Sequence, residues 1–363
     1  MKKFEHGGNV YEGKAPDGGW LDFSANINPL GPPESAMQAI EMHLQDIAHY
    51  PEPGSLRLKK AIAEAYGVPQ EQIVVGNGAA ELFYLICSVY RPESVAVPVP
   101  SFSDYERAAH AVDADVWPLP LLLPQDGMPG HSLPDEDVVG RADCVMLGNP
   151  NNPTGDLFTK KDMVELIELC EEHGTLLVVD ESFLDFLQDC GEYSVMDLVR
   201  GRESLFVVRS LTKFYALPGL RLGFAVVPEE DCERIESAKD VWNVNVLAQE
   251  AGIAVLRDRE YQKKTWDWLQ EERSFMSKAL RKLPGVDVFE PSVNFVFCRL
   301  ESKALLHRVA KAMKKRGVLI RDCGNYTGIP RGGGYLRVAV RRREENMLLL
   351  QHLQDVLREE MGR

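Results

Sequence analysis

The chain has no apolar run approaching the ~18 residues of a membrane-spanning helix. Two lysines near its start lead into no apolar stretch, so no secretory signal is expected. Its seven cysteines, at 87, 144, 170, 190, 232, 298 and 323, form no CxxC pair and are never closer than 20 residues. That spacing argues against a zinc site and a disulfide framework. Buried thiols in a reducing cytoplasm are expected, and no metal. Positive charge is short: Lys+Arg 41 against Asp+Glu 55 gives −14. Such a surface repels nucleic acid and anionic membranes, which leaves a small molecule as the expected partner. An anionic substrate would need a local basic pocket. No internal repeat, low-complexity tract, Walker loop or GxGxxG is present. What remains is 363 residues of ordinary globular composition, enough for about two domains at ~150 residues each.

The first 33 residues are rich in Gly, Pro and Asn and read as an arm rather than a packed element. Residues 33–45 read as a short helix. Residues 56–66 read as another, with Leu56, Leu58, Ile62 and Ala65 roughly on one face. Short aliphatic runs follow at 73–75, 94–97, 144–147, 176–179 and 205–208, with helical patterns at 79–89 and 161–173 between them. This alternation predicts an α/β fold with a mixed, mostly parallel sheet flanked by helices. Beyond about residue 245 come a long helical region, a strand near 294–298, a helix at 303–316 and strands near 318–320 and 335–340. These predict a smaller α+β domain. The expected division is an arm with part of the small domain at 1–45, a large domain at 46–245 and a small domain at 246–363.

The ends of the predicted strands carry the chemistry. Ligands of open α/β sheets bind beyond the carboxyl ends of strands. Here those ends carry Gly76-Asn77-Gly78, Gly148-Asn149-Pro150, Asp180-Glu181 and Ser210-Leu211-Thr212-Lys213. Lys213 at the edge of an apolar core is easily neutralised, and a neutral amine is the nucleophile an aldehyde calls for. Taken alone, Ser-x-x-Lys is more often a surface loop. Asp180 ends a buried run and suits a protonated heteroaromatic nitrogen, or serves merely as a helix cap. Gly78, Ala79 and Ala80 open a helix and offer free amides to a phosphate, although a plain tight turn explains them as well. Asn152, in Asn149-Pro-Asn-Asn-Pro-Thr-Gly155, is a candidate donor in a turn dense with side-chain amides. Arg221 lies eight residues past Lys213 and suits a phosphate.

Together, NNPTG, the strand-end Asp180 and Ser210-Leu-Thr-Lys-Phe-Tyr-Ala-Leu-Pro-Gly-Leu-Arg-Leu-Gly223 resemble the fold-type-I pyridoxal-phosphate enzymes of the aminotransferase superfamily over essentially the whole chain. The resemblance implies pyridoxal 5′-phosphate as cofactor, bonded through Lys213, with Asp180 on its ring nitrogen and Asn152 on its phenolic oxygen. Gly78, Ala79, Ala80, Ser210 and Arg221 would hold its phosphate, and Phe102 would stack on its ring. Tyr50 would reach the phosphate of a neighbouring subunit, which implies a homodimer with shared sites. Arg337 would hold a substrate carboxylate.

Two branches are similar: histidinol-phosphate aminotransferases and the threonine-phosphate decarboxylases of cobalamin biosynthesis. The opening His6-Gly7-Gly8-Asn9 with Leu21-Asp-Phe-Ser-Ala-Asn-Ile-Asn-Pro-Leu-Gly31, and the segment Leu319-Ile-Arg-Asp-Cys-Gly-Asn-Tyr326, resemble the decarboxylases. Phe183 stands where aminotransferases typically carry a tyrosine, and a phenyl ring donates no hydrogen bond. The decarboxylase resemblance implies His6, supplied by the partner subunit, and Asn26 as substrate contacts. It makes Arg321 and Arg337 the anchors of a phosphate and a carboxylate, because guanidinium matches both bidentately. The implied reaction turns L-threonine O-3-phosphate into (R)-1-amino-2-propanol O-2-phosphate and carbon dioxide. A non-catalytic regulatory relative would show a basic helix-turn-helix extension, and none precedes residue 20 or follows residue 345.

Overall fold

The computed structural model describes residues 6–11, 15, 19–123 and 131–361. The start residues 1–5, on which the absence of a signal was read, lie outside them. The strands are β1 (Leu21–Asp22), β2 (Ile73–Gly76), β3 (Ser94–Pro98), β4 (Asp115–Leu119), β5 (Cys144–Gly148), β6 (Leu176–Asp180), β7 (Leu205–Ser210), β8 (Gly223–Val226), β9 (Val286–Val288), β10 (Phe295–Leu300), β11 (Val318–Leu319), β12 (Arg321–Asp322) and β13 (Gly334–Ala339). The helices are α1 (Glu34–Met42), α2 (Leu56–Tyr66), α3 (Ala79–Tyr90), α4 (Ser103–His110), α5 (Glu136–Val139), α6 (Lys160–His173), α7 (Glu229–Glu236), α8 (Val246–Arg257), α9 (Arg259–Leu280), α10 (Lys303–Lys315) and α11 (Arg343–Met361).

A seven-stranded sheet of order β2-β8-β7-β6-β5-β3-β4 forms the centre. All its pairings are parallel except the two made by β8. The central strands are buried on both faces, which is why they read as continuous aliphatic runs. Their period of two still shows in the packing. Val145, Leu147, Leu177, Val179, Leu205 and Val207 join one core; Cys144, Met146, Leu176, Val178, Phe206 and Val208 join the other. Helices cover both faces. The start of α6 is fixed by a reciprocal cap between Thr159 and Asp162, and its end by Gly174 in the left-handed conformation. A four-stranded antiparallel sheet, β12-β13-β10-β9, lies in the C-terminal third.

Several expectations need correction. Residues 21–28 are not a loose arm. β1 pairs in parallel with β11, and Phe23 is fully buried. Asn28 donates to Phe214 O and Thr265 Oγ1, both at 2.8 Å. The segment reads as loop because its contacts are polar and distant in sequence. The first helix stops at Met42, and a 3-10 turn, Leu44–Ala48, follows. α2 buries Leu58, Lys59, Ala61 and Ile62, whereas Leu56 is 55% exposed. The expected strand near 318–320 is two strands, β11 and β12, that pair with different sheets. β4 and α4 escape the hydrophobic pattern because one is a half-exposed edge strand containing Pro118 and the other is largely polar.

Candidate active site

The register of the central sheet brings its carboxyl ends level. Gly148 pairs with Asp180, Asp180 with Val208, and Ser210 with Gly223. Asp180 is buried, and both of its oxygens are held. Oδ2 accepts from the Tyr105 hydroxyl at 2.7 Å, and Oδ1 from the Ser182 N–H at 2.9 Å. Tyr105 lies one helical turn beyond Phe102, on α4, and the two rings meet edge to face at 5.7 Å. Sequence reasoning missed Tyr105. The i, i+3 spacing from Phe102 was the available signal.

Lys213 follows β7 into the site. Burial lowers its ammonium pKa to about 8; Asp180 opposes that shift, and Arg221 and Arg337 add to it. Its Nζ lies 4.8 Å from the centre of the Phe183 ring, where a tyrosine hydroxyl is missing. Its carbonyl accepts from the Asn28 N–H at 3.1 Å, so the N-terminal segment is tied directly to the lysine.

The amides of the Asn149–Gly155 turn divide their work. Asn149 binds the backbone of Phe158 in both directions, at 2.9 and 3.2 Å, and Asn151 holds Pro100 O at 2.9 Å. Both shape the turn. Asn152 instead accepts from Arg337 Nη1 through its Oδ1. The group it offers a ligand is therefore its NH2, a donor.

Arg321 and Arg337 sit directly opposite each other on β12 and β13, 7% and 4% exposed. Like charges paired across strands are unfavourable unless something anionic joins them. Arg337 donates to Ser24 O at 2.7 Å and lies 5.4 Å from the Phe295 ring; among the described residues no carboxylate pairs with it. Arg321 donates to Asn325 Oδ1 at 2.8 Å and stands over Tyr326. Asn26 is buried, and its Oδ1 has no partner among the described residues.

His6 sits 5.7 Å from the Phe102 ring of its own chain and 3.7 Å from Asp104. Burial lowers its pKa, Asp104 works against that, and Arg107, Arg321 and Arg337 reinforce it.

At the other edge of the site, α3 starts after Gly78, whose φ of 85° and ψ of 159° are essentially restricted to glycine. A Cβ there would run into the Arg221 guanidinium. Ala79 and Ala80 are the first two residues of the helix. The Gly78 N–H is engaged by Gly76 O at 2.8 Å, so the open amides are those of Ala79 and Ala80. Ser210 Oγ lies 2.8 Å from Thr212 Oγ1. Tyr50 stands apart: it is 77% exposed and stacks on Trp242 at 4.3 Å.

Beneath the site lies a second buried cluster. Arg209, fully enclosed, binds Glu181 at 2.8 Å and Asp185 at 2.5 Å. Ser194 and the Val195 N–H donate to Glu181, and Tyr66 donates to Asp185. Glu181 and Arg209 are the chain neighbours of Asp180 and Ser210. The cluster thus fixes the two strand ends that carry the site.

Among the described residues no group of three or more His, Cys, Asp or Glu is placed to hold a metal ion. No helix among them is long and apolar enough to cross a membrane.

Comparison with known proteins agrees with this geometry. The profile of the family "Aminotransferase class I and II" matches residues 18–353. The threonine-phosphate decarboxylase of Salmonella typhimurium is 35% identical over 360 residues, 97% of this chain and 96% of that protein. The crystal structure of L-threonine-O-3-phosphate decarboxylase from Porphyromonas gingivalis superimposes with a TM-score of 0.80 at 28% identity, over 92% of this chain and 98% of that one. That of histidinol-phosphate aminotransferase from Clostridium acetobutylicum gives 0.83 at 30%, over 94% and 99%. The match to the family profile spans every strand from β1 to β13, and with them every strand end described above, and the chain belongs to the class I and II aminotransferase family.

Proposed function

We propose that this protein is a pyridoxal 5′-phosphate-dependent carboxy-lyase. It converts L-threonine O-3-phosphate to (R)-1-amino-2-propanol O-2-phosphate and carbon dioxide, for the nucleotide loop of cobalamin. The observation that carries the reading is the pair of buried arginines, 321 and 337, facing each other across two strands. A substrate with a phosphate at one end and a carboxylate at the other satisfies both. The named activity of the Salmonella relative, similar over nearly its whole length, supports the same choice.

The residues present fit the cofactor. An amine lowered to about 8 suits its aldehyde. A carboxylate held at both oxygens suits its ring nitrogen. The Ala79 and Ala80 amides with Arg221 and Ser210 suit its phosphate, against a glycine whose Cβ would close the space. Phe102 would lie on its ring, and Asn152 would donate to its phenolic oxygen. When bound, the cofactor supplies an electron sink for the pair left at Cα as the carboxylate departs.

The chain's own residues do the rest. Arg321 and Arg337 fix both ends of the substrate, with His6 and Asn26 as further polar contacts. Fixing the carboxylate decides which bond at Cα breaks, so orientation separates decarboxylation from transamination. Phe183 and Phe295, edge to face at 5.2 Å, form an apolar wall between Lys213 and Arg337. Lys213 Nζ then returns a proton to Cα in place of the carbon dioxide lost.

The same reading divides the chain at about residues 45 and 245. The seven-stranded sheet, built wholly from residues 73–226, and the four-stranded sheet, from 286–339, support that division. It also makes the protein a cytoplasmic homodimer. Seven free cysteines support the reducing compartment. The exposed apolar side chains of Met42, Leu44, Ile47, Tyr50 and Trp242 support a second copy seated there. Histidinol-phosphate aminotransferase is the second reading, favoured by the Clostridium structure.

The test is incubation with L-threonine O-3-phosphate and no amino acceptor, following carbon dioxide over many turnovers. Sustained release with aminopropanol phosphate is expected. No release, with turnover of histidinol phosphate once 2-oxoglutarate is added, would establish the second reading. Serine phosphate differs by one methyl, worth about 10–200-fold in a pocket.

A further inference from the structure

The turn at 76–78 aims the first amides of α3, and its own amides are already engaged. Gly78 N–H donates to Gly76 O at 2.8 Å, and Asn77 N–H donates to Glu81 Oε2 at 2.6 Å. Glu81 is the third residue of α3. The same Oε2 accepts from Asn243 Nδ2 at 2.7 Å. Asn243 also reaches Val75 O at 3.1 Å, on the other flank of the turn, and Lys239 Nζ reaches that carbonyl at 2.9 Å. Lys239 is held in turn by Glu236 at 3.0 Å, which also binds Lys59 at 2.8 Å. The segment after α7 therefore grips the turn from both sides, and Glu81 is the joint.

We propose that Glu81 is a positioning residue for the cofactor phosphate. With Asn243 it clamps the Asn77 turn, so that the Ala79 and Ala80 amides meet the phosphate beside Arg221. This rests on the reading of that turn as the phosphate site. Charge alone predicts the reverse: a carboxylate near a dianion repels it, and removing the carboxylate would tighten binding. Positioning predicts weaker binding once the clamp is lost. The two accounts differ in sign.

The experiment compares apoenzyme affinity for pyridoxal 5′-phosphate with that for pyridoxal, which lacks the phosphate. Wild type should prefer the phosphorylated form. Glu81→Ala should weaken pyridoxal 5′-phosphate by about tenfold, the scale of one charged hydrogen bond, and change pyridoxal by less than about twofold. Glu81→Gln keeps an acceptor oxygen and should restore most of the affinity. Asn243→Ala should show a smaller loss with the same selectivity. Equal or tighter binding of pyridoxal 5′-phosphate by Glu81→Ala overturns the proposal, and so does an equal loss of both ligands. Wild type that fails to prefer the phosphorylated form refutes the phosphate site itself, a result read without any variant.

Discussion

Lys213 is the residue through which pH reaches this site. Its amine is buried among two arginines and two aspartates, and burial brings its pKa to about 8 from 10.5. At pH 7 a lysine titrating at 8 is about one-tenth neutral, and one titrating at 10.5 is about one part in three thousand neutral. The nucleophilic form is therefore enriched roughly 300-fold over an ordinary lysine at that pH. Rapid-mixing absorbance would follow uptake of pyridoxal 5′-phosphate by apoenzyme from about pH 6 to 10. The rate should rise with pH and level off above about 8, after allowance for the ligand's own ionisations. Neighbouring charges give the signs of two controls. Arg337→Met removes a cation that disfavours the ammonium, so the midpoint moves up. Asp180→Asn removes an anion that favours it, so the midpoint moves down. A wild-type rate still climbing tenfold per pH unit beyond about 9.5 would refute the burial argument.

Other perturbations have equally definite outcomes. Arg209→Met leaves Glu181 and Asp185 enclosed without their cation, which should cost about 3–5 kcal/mol in urea unfolding. Burial already raises both carboxyl pKa values, with Arg209 opposing. Acids raised by folding bind more protons folded than unfolded, so the variant's deficit should shrink as pH falls toward about 5; a deficit that grows would contradict this. Gly78→Ala meets the Arg221 guanidinium and needs a backbone conformation costing about 1–3 kcal/mol, so cofactor retention on dialysis should fall sharply. Tyr105→Phe removes one of the two donors to Asp180. The pH titration of the bound cofactor's visible absorbance should then shift, with kcat reduced more than KM is raised; an unchanged titration would show that Tyr105 only fills space.

The central strands and the residues at their ends were legible in the sequence because burial on both faces leaves an unbroken aliphatic signature. Asp180, Lys213 and Asn152 stand at or just beyond such runs. What stayed hidden depends on partners far along the chain. Residues 21–28 look like loop, yet Asn28 binds Lys213, Phe214 and Thr265, the last 237 positions away. No local pattern encodes a contact of that kind. β8 is short and antiparallel, and only its first residue, Gly223, falls in the motif that carries Arg221. Tyr105 sits on a polar helix, so hydrophobic periodicity passes over it. The alignment of Arg321 with Arg337 is a matter of strand register across a loop, which spacing alone leaves open.

The central claim is that the site holds the substrate so that the carboxylate, not the Cα hydrogen, is the group lost. Running the L-threonine O-3-phosphate reaction in heavy water reads this bond by bond. Each turnover should release one carbon dioxide and give aminopropanol phosphate with a single deuterium at C1 and the original Cα hydrogen retained. A 2-oxo product, or exchange of the Cα hydrogen without carbon dioxide, would contradict the account.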